Sequence, residues 1–222
     1  KYIVEANLGS SAASYNDLPL FRMAEVYLNY AEAKAELGEI TQGDLDISVN
    51  KIRARAKMPN LNLKAANDSP DPYLSSAETG YTNVTGANKG VILEIRRERN
   101  IELVLESQNR WWDLMRWKEG ACIGQKMEGI YIPADKIGKA YDVNGDGNAD
   151  ICVYSGTQPS VKENVTWFNL DTDYKLSEKG SGKIVFFSDI VRKWNEERDY
   201  FYPIPKEDII LTGGKIEQNK GW

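Results

Sequence analysis

The chain has 222 residues, 41% of them hydrophobic and 27% charged, which allows one large or two small domains with a real core and excludes collagenous or disordered composition. Its 28 basic and 33 acidic residues leave a net charge of −5, so no basic field exists to draw nucleic acid or an anionic membrane surface. The absence of histidine removes Ser-His-Asp and Cys-His nucleophiles, His-ligated zinc and imidazole switches, leaving carboxylates, amines, phenols or a hard cation for any chemistry.

The chain begins at Lys1-Tyr2-Ile3 without an initiator Met, and reads as a processed or truncated product. No signal peptide and no apolar run of bilayer length is visible. After a polar lead-in, Leu18-Pro19-Leu20-Phe21 reads as extended, because proline pushes its predecessor out of the helical region. Arg22 to Leu37 then carries Met23, Val26, Tyr27, Tyr30, Ala31 and Leu37 at the spacing of one buried helix face, with Gly38 as the C-terminal cap. Asp44 is placed to cap a second helix in which Leu45, Val49 and Ile52 repeat, with cations in its last turns and Pro59 beyond it. The short connection predicts an αα-hairpin over 18–58.

Residues 59–88 form a run of Pro, Asn, Ser, Thr and Tyr without a period, and a loop of that length suggests binding. A second helix pair is expected over 89–119. Its first member runs from Lys89 to Ser107 with Ile92, Ile95 and Leu103 inward, and Glu94–Arg97 and Arg99–Glu102 as intrahelical pairs; its second runs from Asn109 to Lys118, ended by Gly120. Trp111, Trp112 and Trp117 of that helix are expected to be core anchors. Over 120–200 the period weakens into short β runs at Gly129–Ile132, Ile151–Tyr154 and Lys183–Phe187, with a short helix at Ser188–Glu196. Residues 201–222 start extended, because Pro203 and Pro205 forbid helix there. Cys122 and Cys152 fit neither a CxxC motif nor a zinc site, and read as a disulfide or as two thiols.

Two constellations carry candidate chemistry. In DVNGDGNAD, Asp142, Asn144, Asp146 and Asp150 offer side-chain oxygens and Asn148 a backbone carbonyl, with Gly147 at position six for the sharp turn, as a hard cation requires of a single loop. Position twelve is Val153 and a strand follows, so the loop resembles integrin-type calcium repeats more than an EF-hand, and Ca2+ would be a structural staple. The plain alternative is a turn with solvated carboxylates. In EIRRERNIELVLESQNRWWDLMRW, Glu98, Glu102, Glu106 and Asp113 could serve as paired acids for glycoside hydrolysis. Interleaved Arg and Glu on one helix read more simply as an ion-pair network.

Three separated blocks resemble the C-terminal part of the SusD/RagB family of outer-membrane nutrient-binding lipoproteins of Bacteroidetes. They are LPLFRMAEVYLNYAEAKAELG with NKIRARAKMP, then EIRRERNIELVLESQNRWWDLMRWKEG, then the terminal FYPIPKEDIILTGGKIEQNKGW. Departures from the family pattern are Asn100, Ser107 and the Lys220-Gly221-Trp222 ending. The resemblance implies a mainly α fold, a SusD-like superhelix of tetratricopeptide-like helix pairs with long irregular loops and a few short strands. It further implies a binding protein rather than an enzyme, seated at the cell surface of the outer membrane by a lipid on an absent N-terminal segment. Its partners would be a glycan or peptide nutrient, a SusC-like TonB-dependent transporter and the missing N-terminal segment of the same protein; nucleic acid is not among them. Family members differ in ligand through their loops, so the ligand candidates are Tyr73, Tyr81, Asn83, Tyr131, Trp167 and Asn169, with Trp167 favoured as an aromatic platform for a sugar ring. A carboxylate-based hydrolase and a helical interaction scaffold are the competing readings.

Overall fold

The computed structural model describes residues 21–106 and 109–222. The expected extended Leu18-Pro19-Leu20 and the expected helix end at Ser107 lie outside the described residues. The chain divides into two compact units, Lys1–Glu119 and Gly120–Trp222.

The first unit is helical: α1 Met23–Glu36, α2 Gln42–Ile47, α3 Val49–Arg55, α4 Leu63–Asp68, α5 Pro72–Ser75, α6 Lys89–Glu102 and α7 Asn109–Arg116. Gly38 sits beyond α1 at φ +76, and the Glu39 N–H returns to the Lys34 carbonyl at 3.0 Å, the closing bond of a left-handed helix cap. The buried face of α1 is not the one the apolar spacing indicates. Leu28, Ala31, Glu32 and Ala35 are buried, whereas Met23, Val26, Tyr30 and Leu37 are exposed. The small Ala31 and Ala35 let α6 lie close against α1, and Glu32 is admitted to the interior because Arg116 and Trp117 hydrogen-bond its carboxylate. Val91, Ile92, Leu93 and Ile95 of α6 complete this core with Leu45, Val49 and Ile52, each large side chain contributing about 1.5–3 kcal/mol by leaving water.

The second helix is two pieces. Its cap is Thr41, whose hydroxyl accepts from the Asp44 N–H while the Asp44 carboxylate accepts from the Thr41 N–H at 2.8 Å; Asp44 is thus the third residue of a capping box. Ser48 breaks the helix, its backbone at φ −126 and ψ −94 and its hydroxyl bonded to the Asp44 carbonyl four residues back. The expected loop over 59–88 contains α4 and α5, capped by Asn62 and by Asp71 ahead of Pro72. It is pinned at Gly90, where any Cβ would overlap the Ala66 carbonyl of α4, and at Thr82 and Asn83, whose N–H groups donate to the Glu119 carboxylate.

The second unit carries two three-stranded sheets built from β1 Met127–Ile132, β2 Ala140–Tyr141, β3 Ile151–Tyr154, β4 Thr166–Asn169, β5 Lys175–Glu178 and β6 Ser181–Phe186. One sheet is antiparallel in the order β1-β6-β5; in the other, β2-β3-β4, strands β3 and β4 run parallel. The core lies between them, with Ile132 and Ile184 of the first sheet meeting Ile151 and Val153 of the second, and Phe168, Tyr174 and Phe186 closing the cluster, Tyr174 tilted at 54° to Phe168 and edge-on to Phe186. Cys152 is fully buried on β3 and Cys122 is half-buried; neither belongs to a disulfide. The helix expected at Ser188–Glu196 does not form. Phe187 turns left-handed at φ +54, Asn195 opens a side-chain-bonded turn, and the chain between is irregular. A helix the periodicity did not indicate, α8 Lys206–Leu211, starts after Pro205 with Glu207 and Asp208 in its first turn, where the helix dipole favours acids.

Candidate functional site

The acids of the Glu94–Trp117 block are tied up in ion pairs. Glu98 meets Arg53; Glu102 meets Arg22 and Arg55; Glu106 meets Arg22 at 2.6 Å. Asp113 lies between Arg99 at 2.6 Å and Arg116 at 2.9 Å, and Arg116 reaches on to Glu32. Glu94 pairs with Arg97 as the spacing indicates, but Arg99 and Glu102, expected to pair, each take partners on other elements. Burial would raise the Glu32 carboxyl, yet hydrogen bonds from Arg116 and Trp117 outweigh it and hold Glu32 below the ordinary carboxylate range. A general acid needs the opposite displacement.

The six ligand candidates do not converge. Tyr81 is buried at 5% exposure, its hydroxyl accepting from Arg110 at 2.8 Å and its ring meeting Trp117 edge-on at 5.6 Å, so it is a core residue rather than a platform. Asn83 is spent on structure, its side-chain amide donating to the Lys118 carbonyl. Tyr73, on the short α5, is exposed.

In the second unit the registers decide which faces are available. Val153 opposes Phe168, and both point into the core, so the alternation of strands turns Cys152, Tyr154, Trp167 and Asn169 to the other face. Trp167 is half-buried there against Tyr154, ring centroids 5.8 Å apart at 85°. Asn169 uses its carbonyl oxygen on the Asp171 N–H at 2.9 Å. Tyr131 adjoins inward-facing Ile132 and pairs with Lys183, so it sits on the outer face of the other sheet. Trp167 and Tyr131 therefore occupy opposite outer faces of the two-sheet unit and cannot hold one sugar ring between them.

The 142–150 loop folds on its own backbone. Asp142 accepts from the N–H groups of Gly145 at 2.7 Å and Gly147 at 2.8 Å, Asn144 from Asp146, Asp146 from Asn148, and Asp150 from Val143 at 2.9 Å. Gly145 and Gly147 hold left-handed conformations at φ +78 and +90, as the turn requires. The Gly147 and Gly145 N–H groups hold the Asp142 carboxyl below its usual range. Among the described residues no three acidic or thiol side chains converge as a cation cage would. Beside the loop runs a groove of about 640 Å³ lined by Lys136, Tyr141, Asp142, Asn148, Glu163 and Asn164.

Sequence reasoning missed a further feature, in the first unit. Trp112, expected in the core, is 53% exposed and borders a groove of about 560 Å³ between α1 and α7. On α7 the buried Leu114 lies far round the helix from Trp112, so the core takes Leu114 and leaves the indole beside the groove; nothing in the local sequence marks that choice.

The helical unit is braced by buried ion pairs, and the two-sheet unit carries exposed Tyr131 on one sheet and half-buried Trp167 on the other. The chain belongs to the SusD family, whose model matches residues 1–222. Among solved structures it is similar to a SusD-like protein from Bacteroides fragilis NCTC 9343, 22% identical over 90% of this chain and 25% of that chain, with a TM-score of 0.47. The chain thus spans about a quarter of that structure's length. Among curated proteins none matches. No helix among the described residues is long and apolar enough to cross a membrane.

Proposed function

We propose that the chain is part of a cell-surface protein that binds a glycan or another nutrient oligomer and hands it to a SusC-like TonB-dependent transporter in the outer membrane. Membership of the SusD family over all 222 residues carries this reading. In it, the first unit is a scaffold of tetratricopeptide-like helix pairs, completed by an N-terminal segment that bears the lipid anchor. The Trp167–Asn169 face of the second unit is the contact for the ligand: an indole stacks on the C–H face of a pyranose while an amide hydrogen-bonds its hydroxyls. The hydrolase alternative is disfavoured because Glu98, Glu102, Glu106 and Asp113 are each held by arginine.

The test is affinity electrophoresis of the chain through gels containing soluble glycans, with assay of released reducing sugar. Retardation without hydrolysis, weakened about tenfold by Trp167→Ala, is the expected result. Sustained hydrolysis abolished by changing one acid pair to amides would replace the binder with an enzyme.

The 142–150 loop is carried in this reading as a structural Ca2+ site, with Asp142, Asn144, Asp146 and Asp150 exchanging backbone partners for the cation and Asn148 giving its carbonyl. Its support is five oxygen donors within nine residues. Chelation should lower the melting temperature of the wild type, and Asp146→Ala should abolish that response; a melt indifferent to both removes the metal.

A further inference from the structure

The groove between α1 and α7 combines a locked floor with an uncommitted rim. Its floor is the Arg99–Asp113–Arg116–Glu32 chain, in which every guanidinium nitrogen facing a carboxylate is engaged: Arg99 with Asp113 at 2.6 Å, Arg116 with Asp113 at 2.9 Å and with Glu32 at 2.7 Å. Asn29 is oriented from below, its carbonyl oxygen accepting from Arg99 at 2.6 Å, which turns its NH2 away from the floor. Among the described residues the Asn109 side chain has no hydrogen-bond partner, and the Glu36 carboxylate has only Arg96, at 3.4 Å. Over these polar groups stands the half-exposed indole of Trp112.

We propose that this groove is a second saccharide site, taking one pyranose unit on the Trp112 ring with its hydroxyls shared among Asn29, Asn109 and Glu36. This rests on the glycan-binding reading above, but places a contact in the helical unit, independent of Trp167. The chemistry selects the ligand class. A wholly apolar ligand would bury rim amides and a carboxylate without partners, at about 1–3 kcal/mol for each group. An anionic ligand would meet Glu25, Glu32, Glu36 and Asp113 against Arg99 and Arg116, both of which are already committed. A polyhydroxylated ring that is neutral, or bears an ammonium group, satisfies both donors and acceptors and covers the indole. Because the floor is held by buried ion pairs, the rim is preorganised, and little ordering entropy opposes binding.

The test follows the indole N–H resonances of the 222-residue chain, assigned by single Trp→Phe variants, during titration with maltohexaose, xylohexaose, chitohexaose and trigalacturonate. The expected result is a saturable shift of the Trp112 signal with at least one of the first three and none with trigalacturonate. Trp112→Ala and Asn109→Ala should each weaken that event about tenfold, with Trp167→Ala leaving it intact. Far-UV circular dichroism and the remaining indole signals of Asn109→Ala report whether it is folded, so that loss of binding in a folded variant is loss of the contact. A Trp167 shift with a silent Trp112 overturns this site and leaves the glycan reading standing. Silence of every indole overturns both, and a Trp112 shift with trigalacturonate overturns the charge argument that selects the ligand.

Discussion

Replacing Asp113 by alanine removes the carboxylate that two arginines share. Asp113 is 4% exposed, and after truncation Arg116 still has Glu32. Arg99 does not fare as well: its side chain is 6% exposed, and among the described residues it would keep the Asn29 carbonyl and Glu25 at 3.9 Å. Breaking one partner out of a buried ion pair costs roughly 3–5 kcal/mol, because the surviving charge stays out of water uncompensated. The two residual contacts of Arg99 place the expected loss at the low end, about 3 kcal/mol. At roughly 3 °C per kcal/mol for a chain of this size, the melting temperature should fall by about 9 °C. Asp113→Asn keeps the shape and one acceptor and should lose clearly less. Far-UV circular dichroism during heating and urea titration measures both. A loss below about 1 kcal/mol, the level of an exposed pair, would refute the account of the groove floor as a stabilising network.

Acidification should weaken the fold through Glu32. Its carboxyl is lowered in the folded chain, so its contribution is complete above the unfolded value and is lost as pH falls through the lower folded one. The urea midpoint of the wild type should therefore decline on the acid side of the ordinary carboxylate range, and Glu32→Gln should flatten that decline; equal acid slopes would contradict it. Gly90→Ala would gain helix propensity in isolation, yet its Cβ would enter the Ala66 carbonyl. A net loss of about 1–3 kcal/mol in the same titration is expected, and a stabilised variant would deny the close approach of α4 to α6.

How far the sequence speaks depends on whether the deciding partner is local. The core positions Ile92 and Ile95 of α6, Leu103 just beyond its end, and strand β3 are legible because their neighbours impose the period directly. On α1 the period misleads: Tyr30 and Val26 look like core residues, whereas Glu32 goes inside because Arg116 and Trp117, over eighty positions away, make its burial tolerable. No local pattern contains that information. Helices α4 and α5 are too short to show a period, but their caps Asn62 and Asp71-Pro72 are readable. Helix α8 was hidden behind Pro203 and Pro205, although a proline just before an acidic turn also marks a helix start. For the site, the left-handed glycines of the 142–150 loop were foreseeable from DVNGDGNAD. The burial of Tyr81 and the exposure of Trp112 were not, since each depends on which face of a helix or turn the ion pairs and the core draw inward.

The burial of Cys152 gives the β unit a reporter of its own. With no solvent access, and with burial pushing its thiol above the ordinary range, the sulfur is both shielded and protonated at neutral pH. An alkylating reagent can reach it only when β3 parts from its neighbours. The rate of modification at Cys152 is then the rate or the equilibrium of that opening, depending on reagent concentration, while half-buried Cys122 serves as the faster internal reference. Comparing that clock with and without glycan, or with and without calcium, would show which ligand the two sheets sense, with no residue of the protein altered.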